Sequence, residues 1–166
     1  AVAKSYEGFT ENTEYAHRVS SGNINGDGSQ VLKLYYDRNH YDLTIKHYLE
    51  KANEQGYVLY SENTAEALTY GEEITIADRK ISIENATYKN ATDYAGNTAT
   101  TVAIGVSNNV INLYYTRNTA TLTINHFVEN ANNNEYSLNS TDSVEGIKVG
   151  ATVTLADYID TTIENV

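Results

Sequence analysis

The chain states one phrase twice, and that repetition limits its fold more than any other feature. Residues 31–39 read VLKLYYDRN and residues 110–118 read VINLYYTRN. At an offset of 79 the copies run without a gap from Val31–Asp78 to Val110–Asp157, and 21 of those 48 positions are identical. Self-similarity at a fixed period marks a tandem array in which each copy is one supersecondary unit. The match extends upstream, with Phe9, Thr13 and Tyr15 set against Tyr88, Thr92 and Tyr94, and downstream, where SIENA (82–86) meets TIENV (162–166) after one extra residue.

Within each copy the apolar spacing is that of strands. LTIKHYLE (43–50) and LTINHFVE (122–129) alternate, which puts Leu43, Ile45, His47 and Leu49 on one face. KANEQG (51–56) is a polar turn before a second strand, YVLYSENT (57–64). YGEEITIAD (70–78) fits a short strand or a turn entering one helical turn, residues 88–108 are polar and strand-rich, and VINLYYTR (110–117) closes the unit. Tyr35 and Tyr36 are neighbours and must point to opposite faces. The short polar link Asp37–Asp42 fits either a hairpin turn or a joint between consecutive domains.

Composition narrows the function. A net charge of −11 disfavours nucleic acid or an anionic membrane, whose phosphates demand Lys and Arg. No apolar run reaches the length of a membrane span. Cys, Met, Trp and Pro are absent, so disulfides, thiolate metal sites and a cysteine nucleophile are excluded. A start without Met is read as an interior or processed piece of something longer. Fifteen Tyr against two Phe, among many Asn and Thr, point to β-structure whose aromatics often reach water.

Strands like LTIKHYLE opening a unit and VLKLYYDRN closing it, with AKSYEGFT and NGDGSQVLKLYYDRN in the preceding copy, resemble the mucin-binding-protein (MucBP)-like and internalin B-type repeats of Gram-positive surface proteins. The resemblance covers essentially the whole chain through short motifs. It implies a mainly β fold: α+β, β-grasp-like modules with little helix, in an array of repeats of about 79 residues. It also implies an extracellular, cell-wall-attached location. Under that phasing 1–40 is the C-terminal half of a repeat, 41–118 a complete one and 119–166 the N-terminal half of a third. The alternative phasing is 1–80 and 81–166. A further alternative has the front half of one molecule completed by the back half of the next.

Candidate sites are few. Asn23, Asn25 and Asp27 alternate before Gly28 as in the start of a calcium loop, but position twelve is Leu34 rather than Glu, which favours a plain Asx- and Gly-rich turn. His47 and His126 recur on the apolar face without a second ligand, as packed residues do. Lys33 and Lys46 invite comparison with Lys–Asn isopeptide bonds, yet the second copy has Asn112 and Asn125 there. Outward aromatics such as Tyr48, Tyr57, Tyr60 and Phe127 suit stacking on sugar rings, against a simpler role in cross-strand pairing. There is no catalytic constellation, phosphate loop or cofactor motif. The expectation is a non-enzymatic segment of a bacterial adhesin or filament, with neighbouring repeats as partners. The alternative is direct recognition of host mucin or another glycoprotein.

Overall fold

A computed structural model describes residues 3–158 and shows a mainly β protein. In chain order the strands are β1 (Phe9–Glu11), β2 (Tyr36–Arg38), β3 (His40–Glu50), β4 (Tyr57–Thr69), β5 (Glu73–Thr75), β6 (Ala86–Thr92), β7 (Thr101–Ala103), β8 (Val110–Arg117), β9 (Thr119–Glu129) and β10 (Tyr136–Lys148). Two short 3-10 turns, Ile76–Arg79 and Leu155–Tyr158, are the helical elements among the described residues. A four-stranded sheet has the order β4-β3-β8-β6, while β1-β2, β5-β7 and β9-β10 form separate antiparallel pairs.

Local chemistry sets these elements. In β3 the period-two pattern buries Leu43, Ile45, His47 and Leu49 and leaves Thr44, Lys46, Tyr48 and Glu50 partly open. The turn after it closes through the Lys51 N–H on Gly56 O, with Gly56 at φ 96°. β4 runs five residues beyond its expected end, and near its close Ala67 sits at φ 56° with its N–H on Asp42 Oδ1 at 3.1 Å. Gly146 occupies the matching place in β10 at φ 78°, inside the register shift between Val144 and Ile147. Both copies therefore carry a kink there, and the second uses the residue that adopts it freely.

By contacts the chain divides into two compact units. The first comprises Ala1–His47, Tyr60–Ile81 and Asn90–Leu113, and it buries Leu43, Ile45, Ile74, Ile76, Ile104, Ile111 and Leu113. Each such side chain contributes about 1.5–3 kcal/mol on removal from water. The second comprises Tyr48–Leu59, Ser82–Lys89 and Tyr114–Val166, and it buries Leu49, Ile83 and Tyr115.

Two expectations change. The link at Asp37–Asp42 is not a hairpin turn, since β2 gives way to β3 across the single residue Asn39, and β8 to β9 across Asn118. The upstream match is also shifted by two residues. Gly8 and Asn85, not residues 79 apart, share a left-handed backbone (φ 76° and 54°) and accept the same hydrogen bond from the Asn39 and Asn118 N–H. The backbone's need for a left-handed residue fixes that register, and the ungapped alignment had no means to weigh it.

Candidate functional site: a duplicated arginine–asparagine clamp

The doubled phrase ends in Arg-Asn, and the structure uses both residues in the same way each time. Arg38 Nη1 donates to Tyr70 O at 2.9 Å, and Arg117 Nη1 to Val149 O at 3.1 Å. The Tyr70 and Val149 N–H groups donate to Asn39 O and Asn118 O at 2.8 and 2.9 Å. In return the Asn39 and Asn118 N–H groups reach Gly8 O and Asn85 O, both at 2.8 Å. Thr10 and Thr87 hydroxyls donate to the Asn39 and Asn118 side-chain oxygens at 2.7 and 2.8 Å. The one-residue joint between successive strands is thus bonded through its amide, its carbonyl and its side chain. Every element of that pattern recurs.

The copies differ where their side chains must fit. A Cβ on Gly8 would meet the Tyr70 ring at 2.3 Å, so tyrosine there requires glycine opposite. The second copy has Val149 in place of Tyr70, and Asn85 keeps a side chain. In the first clamp Arg38 also lies over the Phe9 ring, 5.0 Å from its centroid. In the second, Arg117 gains further bonds. Its Nε donates to Glu50 O at 2.8 Å and its backbone N–H to Glu50 Oε2 at 3.1 Å, while Lys148 pairs with Glu50 Oε1 at 2.8 Å. The Lys148 hydrogen bond first, then the Arg117 N–H and the charges of Lys148 and Lys89, hold the Glu50 carboxyl below its usual range. Asn53 adds a reciprocal pair with the Thr152 backbone at 2.6 and 3.0 Å. The turn of one copy is thereby tied to the turn of the next.

Above Glu50 lies an aromatic group. Tyr48 stacks on Tyr114 with centroids 5.3 Å apart, Tyr57 meets Tyr114 edge-on at 4.9 Å, and Lys89 Nζ donates to the Tyr57 hydroxyl at 3.0 Å. That hydroxyl raises the Lys89 pKa. Of the proposed sugar contacts, Tyr48 and Tyr57 are therefore half-buried partners of Tyr114, whereas Tyr60 and Phe127 are exposed on β4 and β9. Tyr60 belongs to the other compact unit.

The remaining candidates occupy ordinary structural places. Asp27 Oδ1 accepts the Ser29 N–H at 3.0 Å and Asn25 Nδ2 donates to Ser29 Oγ at 2.9 Å, so Asp27–Ser29 is an Asx turn within the Asn23, Asn25, Asp27 loop. Among the described residues no group of three or more His, Asp or Glu could hold a metal ion. His47 is buried, and burial lowers its pKa; His126 lies 3.1 Å from Asp142, an acidic partner that sequence spacing had not revealed. Lys46 pairs with Glu62 at 3.4 Å, Lys33 bridges to Val19 through its backbone, Asn112 faces Thr92, and Asn125 accepts the Thr141 hydroxyl. Among the described residues no helix is long and apolar enough to cross a membrane. In comparisons with protein-family models, curated proteins and solved structures, nothing matches the chain.

Proposed function

We propose that the chain is a non-enzymatic repeat segment of an extracellular bacterial adhesin or filament, built of β-grasp-like modules and acting as a stalk. The observation that carries this reading is the duplicated clamp. Flexible linkers of several residues let domains swing and reel out under load. Here the joint is one residue held by a guanidinium, two amides and a hydroxyl, an arrangement suited to passing tension from strand to strand. The β4-β3-β8-β6 order, with the last long strand of the unit beside the first, supports the β-grasp reading.

The test is mechanical unfolding of the chain held by its two ends, compared with Arg117→Ala and Arg38→Ala. A stalk requires a force peak that both substitutions lower and a blank result on a mucin-glycan array. Unchanged force in both variants would remove the reading. A second reading, direct contact with host mucin or another glycoprotein, draws on Phe127, Tyr136 and Leu138, which stand together and exposed on β9-β10. It requires array binding that Phe127→Ala with Tyr136→Ala abolishes.

A further inference from the structure

Equivalent positions in the copies differ sharply in burial, and the differences fall on two complementary surfaces. On β9 the face Leu122, Ile124, His126 and Val128 matches buried Leu43, Ile45, His47 and Leu49 of β3, yet all four stay partly exposed. Beyond the hairpin, Leu155 is 81% exposed where its counterpart Ile76 is 1% exposed. Near the other end of the chain, Leu32 is exposed where its counterpart Ile111 is fully buried, and Val31 is exposed where Val110 is half-buried. Ile24 stands 86% exposed ahead of VLKLYY, as the 1% exposed Ile104 stands ahead of VINLYY with one residue fewer between.

The chain contains its own template for what covers such a face. Beside β3 lies β8, and beside β8 lies β6. The counterparts of β8 and β6 are residues 31–38 and β1, and they are already paired with each other through β1-β2 and the Val19–Lys33 bridge. The bonds at Lys33 and at Tyr35 O, which accepts the Asn12 N–H, all use one edge of this strand. The opposite edge is the one that in β8 faces β3. In the template, Ile104 exchanges bonds with the Gly71 N–H and Glu72 O at 2.8 Å each. Their counterparts, Gly150 and Ala151, rim a cavity of about 250 Å³ that Leu122, Ile147, Val149 and Val153 also line.

We propose that this chain assembles head to tail: residues 24–38 of one copy, carrying β1 alongside, add to β9 of the next and place Ile24 in that cavity. The composite sheet would have the order β10-β9, then residues 31–38, then β1 of the incoming copy, reproducing β4-β3-β8-β6. Strand addition satisfies the backbone of both edges while side-chain pockets set the register. Because donor and acceptor are different surfaces, the contact is heterologous, and each copy retains one free surface of each kind for further growth. The inference rests on the burial differences and not on the stalk reading, which a monomeric chain would leave standing.

The test is the mass of the chain in solution against concentration, by sedimentation velocity. The unmodified chain is expected to form a ladder of multiples that grows with concentration. Salt should strengthen it, because a net charge of −11 on each copy opposes association. Leu32→Asp with Leu34→Asp disables the donor, and Ile124→Asp with Val128→Asp disables the acceptor. Each variant alone is expected to stay a single chain, association being weakened by about a hundredfold or more from burying unpaired carboxylates. Mixed, they should give a dimer and nothing longer, since one intact donor meets one intact acceptor. Circular dichroism and a denaturant slope equal to those of the unmodified chain verify the fold of each variant. A single-chain mass for the unmodified protein at every concentration overturns the proposal. So does a ladder that the donor variant still forms, or a mixture that stays monomeric.

Discussion

β3 and β9 carry nearly the same inward sequence, Leu-x-Ile-x-His followed by Leu or Val, and each forms a hairpin with a thirteen-residue strand. The β3 face is closed and the β9 face is partly exposed. The difference is not in the strands themselves. It lies in β8, which pairs with β3, and in β6 beyond it; neither has a counterpart beside β9 among the described residues. Alternation therefore writes which face is to be covered, while long-range pairing decides whether it is.

The largest test of this contrast is truncation at matched positions. Leu43→Ala should cost about 2–5 kcal/mol by leaving a cavity in a closed core. Leu122→Ala, at an only partly covered position, should cost well under half as much; denaturant midpoints at fixed slope measure both. Equal losses would mean that β9 is as enclosed as β3.

Next comes the pair that distinguishes the clamps. Gly8→Ala should destabilise by about 1–3 kcal/mol through its left-handed backbone and its collision with the Tyr70 ring. Tyr70→Val, borrowing the second copy's solution, should recover part of that loss in a double-mutant cycle. Strictly additive losses would break the link between the two positions.

A smaller effect is expected from the arginines. Arg117→Ala removes bonds to Glu50 O and Val149 O and should cost about 1–2 kcal/mol, and Arg38→Ala, with its single carbonyl partner, should cost less. The reverse ranking in thermal unfolding would contradict the extra tie between turns.

The smallest effects are in pH. Burial lowers the folded pKa of His47 below its ordinary 6.5, so the folded protein binds fewer protons than the unfolded chain. Stability from His47 is thus complete above about pH 6.5 and declines as pH falls below it. Glu50, depressed by Lys148 and Arg117, gives a separate loss below its ordinary 4.5. Unfolding curves between pH 8 and 3 should show both steps (about ±1 unit), with His47→Gln removing the first and Glu50→Gln the second.

Much of this architecture was legible in the sequence. Strict alternation marked β3 and β9, VINLYYTR marked β8 as the closing strand, and YGEEITIAD fitted a short strand or a turn entering one helical turn, of which the strand forms. Residues 65–69 of β4 were missed because Ala65, Glu66 and Ala67 give no alternating apolar pattern, and that stretch is held by neighbours rather than by its own sequence. The clamp was visible only as a repeated ending. Its partners lie about thirty residues away on both sides and are largely backbone atoms, which leave no residue signature. The one clue available was Gly8 set against Asn85, since glycine and asparagine are the residues that accept a left-handed turn. Tyr48 and Tyr57 are less open than their strand positions suggest, because Tyr114 stacks on the first and meets the second edge-on.

The single asparagine between consecutive strands has a consequence for how such a gene can change. Inserting or deleting one codon there would turn every later side chain of the following strand onto its wrong face, so the spacing at that point is closed to gradual drift. Gain or loss of a whole copy leaves it intact. Exchange between the matching segments is then the tolerated route to longer or shorter versions.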